Sequence, residues 1–213
     1  MKKLFIVALC TLSTFALKAV TLNLDLHCLI QGYYSSAGQM TPAAFNQGCP
    51  WAVPGLTDRV LIQLRKKNAP YAIVGVAIVN LPTSGHVLCN ISHPLLTNGS
   101  YYIVVKNARN ALETWSSQAV SFVSGVYSVY DFTTSASKAY GNNQILVDNY
   151  YCFYSGDVNQ NGCINTIDTD LIGVDIANFV FGCFATDING DVNVDLLDVP
   201  IVQANLGKCV MHP

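Results

Sequence analysis

The chain has 213 residues, enough for one medium domain or two small ones. Apolar residues make up 51% and charged residues 11%, which excludes a disordered polyelectrolyte, because such chains are polar and highly charged. The net charge of −2 excludes a general nucleic-acid binder, since phosphate neutralisation needs many Lys and Arg.

At the start, Lys2 and Lys3 precede an apolar run from Leu4 to Cys10 that continues through Leu12, Phe15 and Leu17. Small residues follow at Ala16 and Ala19. A charged start, a short apolar run and small residues near the cut describe a secretory signal peptide, residues 1–19. A membrane anchor needs ~20 apolar residues, and Thr11, Ser13 and Thr14 interrupt this run, so no stable span is expected once the signal is removed. Cys10 follows Leu9, where a lipid-attachment signal would place a small residue. The expected location is secreted or cell-surface, which permits disulfides. Seven cysteines remain beyond Cys10, and an odd number leaves at least one thiol unpaired within a monomer. None has C-x-x-C spacing, which argues against zinc. Cys152 and Cys209 flank the last quarter of the chain and are candidates to clasp its ends; buried free thiols are the alternative.

The next stretch alternates with period two, the signature of half-buried strands. Leu22, Leu24, Leu26, Cys28 and Ile30 share one face; Asn23, Asp25 and His27 share the other. Val60-Ile62-Leu64, Val87-Cys89-Ile91 and Tyr101-Ile103-Val105 repeat the pattern. Ile73 to Val79 is nearly continuous and β-branched, as a fully buried strand would be. Ala119 to Val123, Val126 to Phe132 and Gln144 to Val147 are further candidates. Turn signals separate them at Asn68-Ala69-Pro70, Pro82 to Gly85, Asn98-Gly99, Ser124-Gly125 and Gly141 to Asn143. About seven short strands with turns between them predict an antiparallel β-sandwich of the immunoglobulin or transthyretin kind over residues 20–150. Ser35 to Gly55, rich in Gly, Pro and small residues, reads as one long loop, functional or mobile.

After Tyr151 the texture changes. Residues 151–213 hold eight aspartates against one lysine, a net charge of −7, whereas Val20 to Tyr150 carries +2. Charge that dense repels itself unless neutralised, and a hard cation with oxygen ligands would do so. Two twelve-residue segments thirty residues apart are alike: Asp157 to Asp168 and Asp187 to Asp198. Both have Asp first, Asn third, Asn or Asp fifth, Ile or Val eighth, Asn or Asp ninth and Asp twelfth. Calcium takes six to eight oxygens at roughly 2.3–2.6 Å, and a twelve-residue loop offers them from positions one, three, five, seven, nine and twelve. The expected metal set is therefore Asp157, Asn159, Asn161, Cys163 (carbonyl), Asn165 and Asp168, with Asp187, Asn189, Asp191, Asn193 (carbonyl), Asp195 and Asp198 in the second loop: two calcium sites. Gly162 suits the sharp turn at position six, whereas Val192 in the second loop is β-branched there. Helices are expected at Asp168 to Phe179, with Leu171, Ile172 and Phe179 on an apolar face, and at Asp195 to Leu206, with Val199, Val202 and Leu206. Pro200 must then sit in the first turn.

Aspartate at position twelve, Gly156-Asp157-Val158-Asn159 with Leu171-Ile172 and Asp187-Ile188-Asn189-Gly190-Asp191 with Ile201-Val202 together resemble the two repeats of a type I dockerin. The stretch from Tyr101 to Lys106 through Glu113-Thr114-Trp115 and Tyr130 to Thr134 is also similar to the C-terminal part of some large secreted bacterial proteins. The resemblance implies a small α-helical domain, residues 151–213, that binds Ca2+ in order to fold and docks onto a cohesin-like or other surface protein. Such modules attach polysaccharide hydrolases and other proteins to scaffolds. Thr166-Ile167 and Leu196-Leu197 replace the small polar residues that often meet cohesin.

Elsewhere the signals are bland. His27, His86, His93 and His212 are scattered, and Glu113 is the only glutamate. A glycosidase needs two facing carboxylates, and no spacing nominates a pair. Arg65-Lys66-Lys67 reads as a solvated strand end, and Asn90-Ile91-Ser92 and Asn98-Gly99-Ser100 fit the glycosylation pattern. Tyr33, Tyr34, Trp51, Tyr71 and Trp115 suit either core packing or a carbohydrate platform. The leading expectation is a non-catalytic, calcium-dependent docking protein. A small secreted hydrolase localised by its last quarter, and an envelope protein stiffened by calcium, are the alternatives.

Overall fold

The computed structural model describes residues 19–107 and 109–213, so the expected signal peptide lies outside the described residues except for Ala19. The chain is mainly β. One sheet has three strands, β1 (Val20–His27), β6 (His86–His93) and β10 (Tyr127–Asp131), in the order β10-β1-β6. The other has β4 (Leu56–Lys66), β5 (Ile73–Pro82), β7 (Gly99–Asn107) and β8 (Thr114–Trp115) in the order β5-β4-β7-β8, with β9 (Val120–Phe122) also on β7.

The alternating positions do what their period requires. Leu22, Leu24 and Leu26 of β1 pack with Val60, Ile62 and Leu64 of β4 and Ile103 and Val105 of β7 in one core. A sandwich-like core between the two sheets is thus in place, but it is not wholly antiparallel. β1 pairs antiparallel with β6 and parallel with β10, Leu24 opposite Ser128. β5 is not buried on both faces either. Ile73, Val76 and Ile78 are exposed, because among the described residues no second layer covers these side chains. The segment Gln144 to Val147 contributes β11 (Ile145–Val147), which joins no main sheet and forms a hairpin with β12 (Tyr150–Cys152).

Ser35 to Gly55 is more ordered than its composition suggests. It holds a small hairpin, β2 (Tyr34–Ser36) with β3 (Gln39–Met40), and a one-turn helix, α1 (Ala43–Asn46), whose Ala43 and Ala44 are buried.

The last quarter is mostly loop, with two helices, α2 (Thr166–Ala177) and α3 (Val199–Ala204). α2 starts at a capping box: Asn165 Oδ1 accepts the Ile167 N–H, and Asp168 reaches back to the Asn165 N–H. α3 has only six residues, with Pro200 in its first turn as required. The expected apolar faces are only partly buried. Ile172 and Val202 enter a second core with Leu112, Tyr154, Ile164, Ile188 and Val194, whereas Leu171, Phe179 and Leu206 are exposed. The α-helical dockerin-like domain expected here is therefore not supported: these are two short helices on a loop framework whose core includes Leu112, outside the segment.

Two disulfides fasten this framework. Cys163 pairs with Cys209, closing a loop within the last quarter, and Cys49 pairs with Cys183, tying it to the α1 segment. The clasp is thus made by Cys163 and not by Cys152. Cys28, Cys89 and Cys152 are free and buried.

Candidate functional site

Both aspartate loops are drawn around their own carboxylates. In the first, Asp157 Oδ2 accepts the Gly162 N–H at 3.1 Å. Asp168 Oδ1 accepts the N–H groups of Val158 and Asn159, and Oδ2 accepts that of Asn165. Asn159 and Asn161 each accept the N–H two residues on, from Asn161 and Cys163. The Cys163 carbonyl accepts from the Asn165 side chain. The second loop repeats the scheme. Asp187 accepts from Gly190, Asp191 and Val192; Asp198 accepts from Ile188, Asn189 and Asp195. Asn189 and Asp191 accept from Asp191 and Asn193, and Asp195 from Leu197. Sequence position thus predicts the turn geometry closely: short Asx acceptors fold the backbone around themselves. Even Val192 takes the left-handed conformation of Gly162, with φ of 93° against 90°.

Burial dominates the electrostatics. Desolvation pushes Asp157 and Asp198 up to about 6, opposed by the N–H groups each accepts and reinforced by Asp168 and Asp187 respectively. Asp187 is raised for the same reason, with Gln47 pulling it back. Asp157 Oδ1 is the one carboxylate oxygen that is buried without a partner among the described residues.

This arrangement overturns the resemblance to a type I dockerin with tandem calcium loops. Among the described residues no three Asp, Glu, His or Cys side chains are gathered as a metal-holding group. The physical reason lies in the hydrogen bonds: both oxygens of Asp168, Asp187 and Asp198 are already engaged by N–H donors.

The sandwich side contributes residues that no sequence motif marks. Gln47 Nε2 donates to Asp187 Oδ2 at 2.6 Å. The Asn110 side chain donates to Tyr33 Oη and the Ala185 carbonyl, while the Asn110 backbone carbonyl accepts the N–H groups of Gly156 and Asp157. Arg109 donates to the Phe184 carbonyl. Gly32 lies so close to Ile188 that a side chain there would overlap its carbonyl. The loops are therefore seated on the sandwich through polar contacts between residues far apart in sequence, which spacing alone does not reveal.

The exposed surface of the same quarter is unusually apolar. Ten of the twenty-two exposed large apolar side chains among the described residues lie from Ile167 onward. Phe179 is 86% exposed, Leu196 73% and Leu197 64%. No helix of the described residues is long and apolar enough to cross a membrane.

No protein-family model matches the chain, and no curated protein matches it. Two solved structures do, both described as interface mutants of a type II cohesin–X–dockerin complex from Acetivibrio cellulolyticus. The C-terminal interface mutant is 14% identical over 88% of this chain and 96% of the other, with a TM-score of 0.45. The N-terminal interface mutant is 15% identical over 90% and 97%, with a TM-score of 0.43. These matches run through nearly the whole chain and not its last quarter alone, and at this level they assign neither family nor function.

Proposed function

We propose that this chain is an exported, non-catalytic protein-docking module whose last quarter presents the docking surface. The observation that carries the reading is the exposure of Ile167, Phe179, Leu196 and Leu197 on a framework held by buried carboxylates and a disulfide. Loops so heavily cross-bonded keep large apolar side chains in water without collapsing onto them, and large apolar side chains held exposed in this way suit protein contacts. The partner is a protein with an apolar surface of its own. The test is binding to a partner purified from the extracellular fraction of the source organism. Leu196→Asp/Leu197→Asp is expected to weaken it at least tenfold, while Val129→Asp on β10 leaves it unchanged. Equal affinity of all three proteins would sink the reading.

A second reading is favoured by one atom. Asp157 Oδ1 is buried and unpartnered among the described residues, in a loop whose sequence also carries Asn159, Asn161 and Asp168, oxygen donors of the kind a hard cation takes. We propose Ca2+ uptake at the first loop alone on that ground. Calorimetric titration of the mature chain beside Asp157→Ala tests it. Loss of a binding isotherm in the variant supports the reading, and absence of one in the parent at millimolar calcium refutes it.

A further inference from the structure

A cleft of about 420 Å³ lies between the outer face of the β4–β5 pair and the segment after Cys183. Leu61 and Ile78, opposite each other in the β4–β5 register, line it together with Trp51. The Arg59 guanidinium sits 4.5 Å from the Trp51 ring centroid.

The charges in this cleft do not balance. Asp58, 1% exposed, accepts from Asn107 Nδ2 and from the Arg59 N–H, and lies 3.7 Å from Arg109 Nε. Arg109, 8% exposed, is occupied by Asp58, the Phe184 carbonyl and Cys49 Sγ. Among the described residues the Arg59 side chain has only neutral acceptors, Asn80 Oδ1 at 3.2 Å and the Trp51 carbonyl at 3.3 Å. Two guanidinium groups thus line the cleft against one carboxylate. Desolvation further pushes Asp58 up, against its charged form, with Arg109 opposing.

We propose that this cleft binds an apolar or aromatic group bearing a carboxylate, its body against Trp51, Leu61 and Ile78 and its anion on Arg59. The walls supply apolar contact, the buried pair fixes the floor, and Arg59 supplies the charge that lacks a carboxylate partner. Arginine suits a carboxylate because its planar fork matches the two oxygens. Such a group has two sources: a free carboxylic acid, or the last residue of a polypeptide. A neighbouring hollow shares Leu61 and adds Gln63, Lys106 and Gln160, so the site continues along the sheet and has room for a longer chain. The proposal is independent of the docking surface, which lies on other residues.

The test is calorimetric titration of the mature chain with N-acetylphenylalanine and its amide, and with a short peptide ending in phenylalanine, as free acid and as amide. Both acids are expected to bind, with each amide about tenfold or more weaker for loss of the charge-assisted hydrogen bonds. Arg59→Gln, at an exposed position, should abolish the difference between acid and amide while leaving the circular dichroism unchanged. A tighter peptide acid identifies a chain terminus as the ligand; equal affinities identify the small acid; both outcomes support the site. Acid and amide binding alike, or neither binding at millimolar concentration, overturns it.

Discussion

Removing the amide of Gln47 should loosen the seat of the second loop. Gln47 is 4% exposed and donates at 2.6 Å to Asp187, which is fully buried. A hydrogen bond to a charged group contributes about 1.5–3 kcal/mol, and each buried methylene about 0.8 kcal/mol, so Gln47→Ala should cost about 3 kcal/mol. The penalty should depend on pH. Asp187 is raised above its unfolded value by desolvation, and Gln47 is the first of the contacts that lower it. A carboxyl raised in the folded state destabilises that state as pH rises through the raised value, because the unfolded chain releases its proton sooner. Without Gln47 the rise is larger, so the variant should lose more at neutral pH than in mild acid. Urea unfolding followed by tryptophan fluorescence, with chelator present, measures both effects. A double-mutant cycle with Asp187→Asn should give a coupling of at least about 1.5 kcal/mol. A loss below about 0.5 kcal/mol, the size expected of a surface substitution, or a penalty independent of pH would refute the reasoning.

Other outcomes follow from local geometry. Val192 is held at φ 93°, where a β-branched residue is strained by about 1–3 kcal/mol. Val192→Gly should stabilise by about 0.5–1 kcal/mol after glycine's entropic cost, seen as a higher Tm; a lower Tm would show that Val192 packing outweighs the strain. Burial pushes the Cys28 and Cys152 thiols up to about 12 and Cys89 up to about 11. At about pH 8 roughly one such thiol in a thousand or fewer is ionised, so the native chain without residues 1–19 should resist alkylation, and the same chain denatured but unreduced should take three labels. Native labelling of any of the three, read by mass spectrometry, contradicts this burial.

How much was legible depended on how local the physics is. The Leu22-Leu24-Leu26 alternation predicts a strand because side-chain direction follows from the backbone alone, and β1 forms there. The Ile73 to Val79 run misleads, because a continuous apolar stretch does not say whether a second layer covers it. The aspartate spacing predicts the turns faithfully but not the fate of the carboxylates. Short side chains can serve either a cation or their own backbone, and here N–H donors engage nearly all of the oxygens.

The sequence by itself determined the strand periodicity, the duplicated loop geometry, the acidic last quarter and the surplus of cysteines. Each rests on interactions within about a dozen residues, where spacing and geometry are tied. Only the tertiary structure decided that β10 runs parallel to β1, that Cys163 rather than Cys152 meets Cys209, and that Gln47 and Asn110 hold the loops. Gln47 and Asp187 stand 140 positions apart, and no local rule couples residues at that distance. Their meeting follows from how the whole chain packs, which also leaves Phe179 and Leu196 in water and opens the cleft beside Trp51.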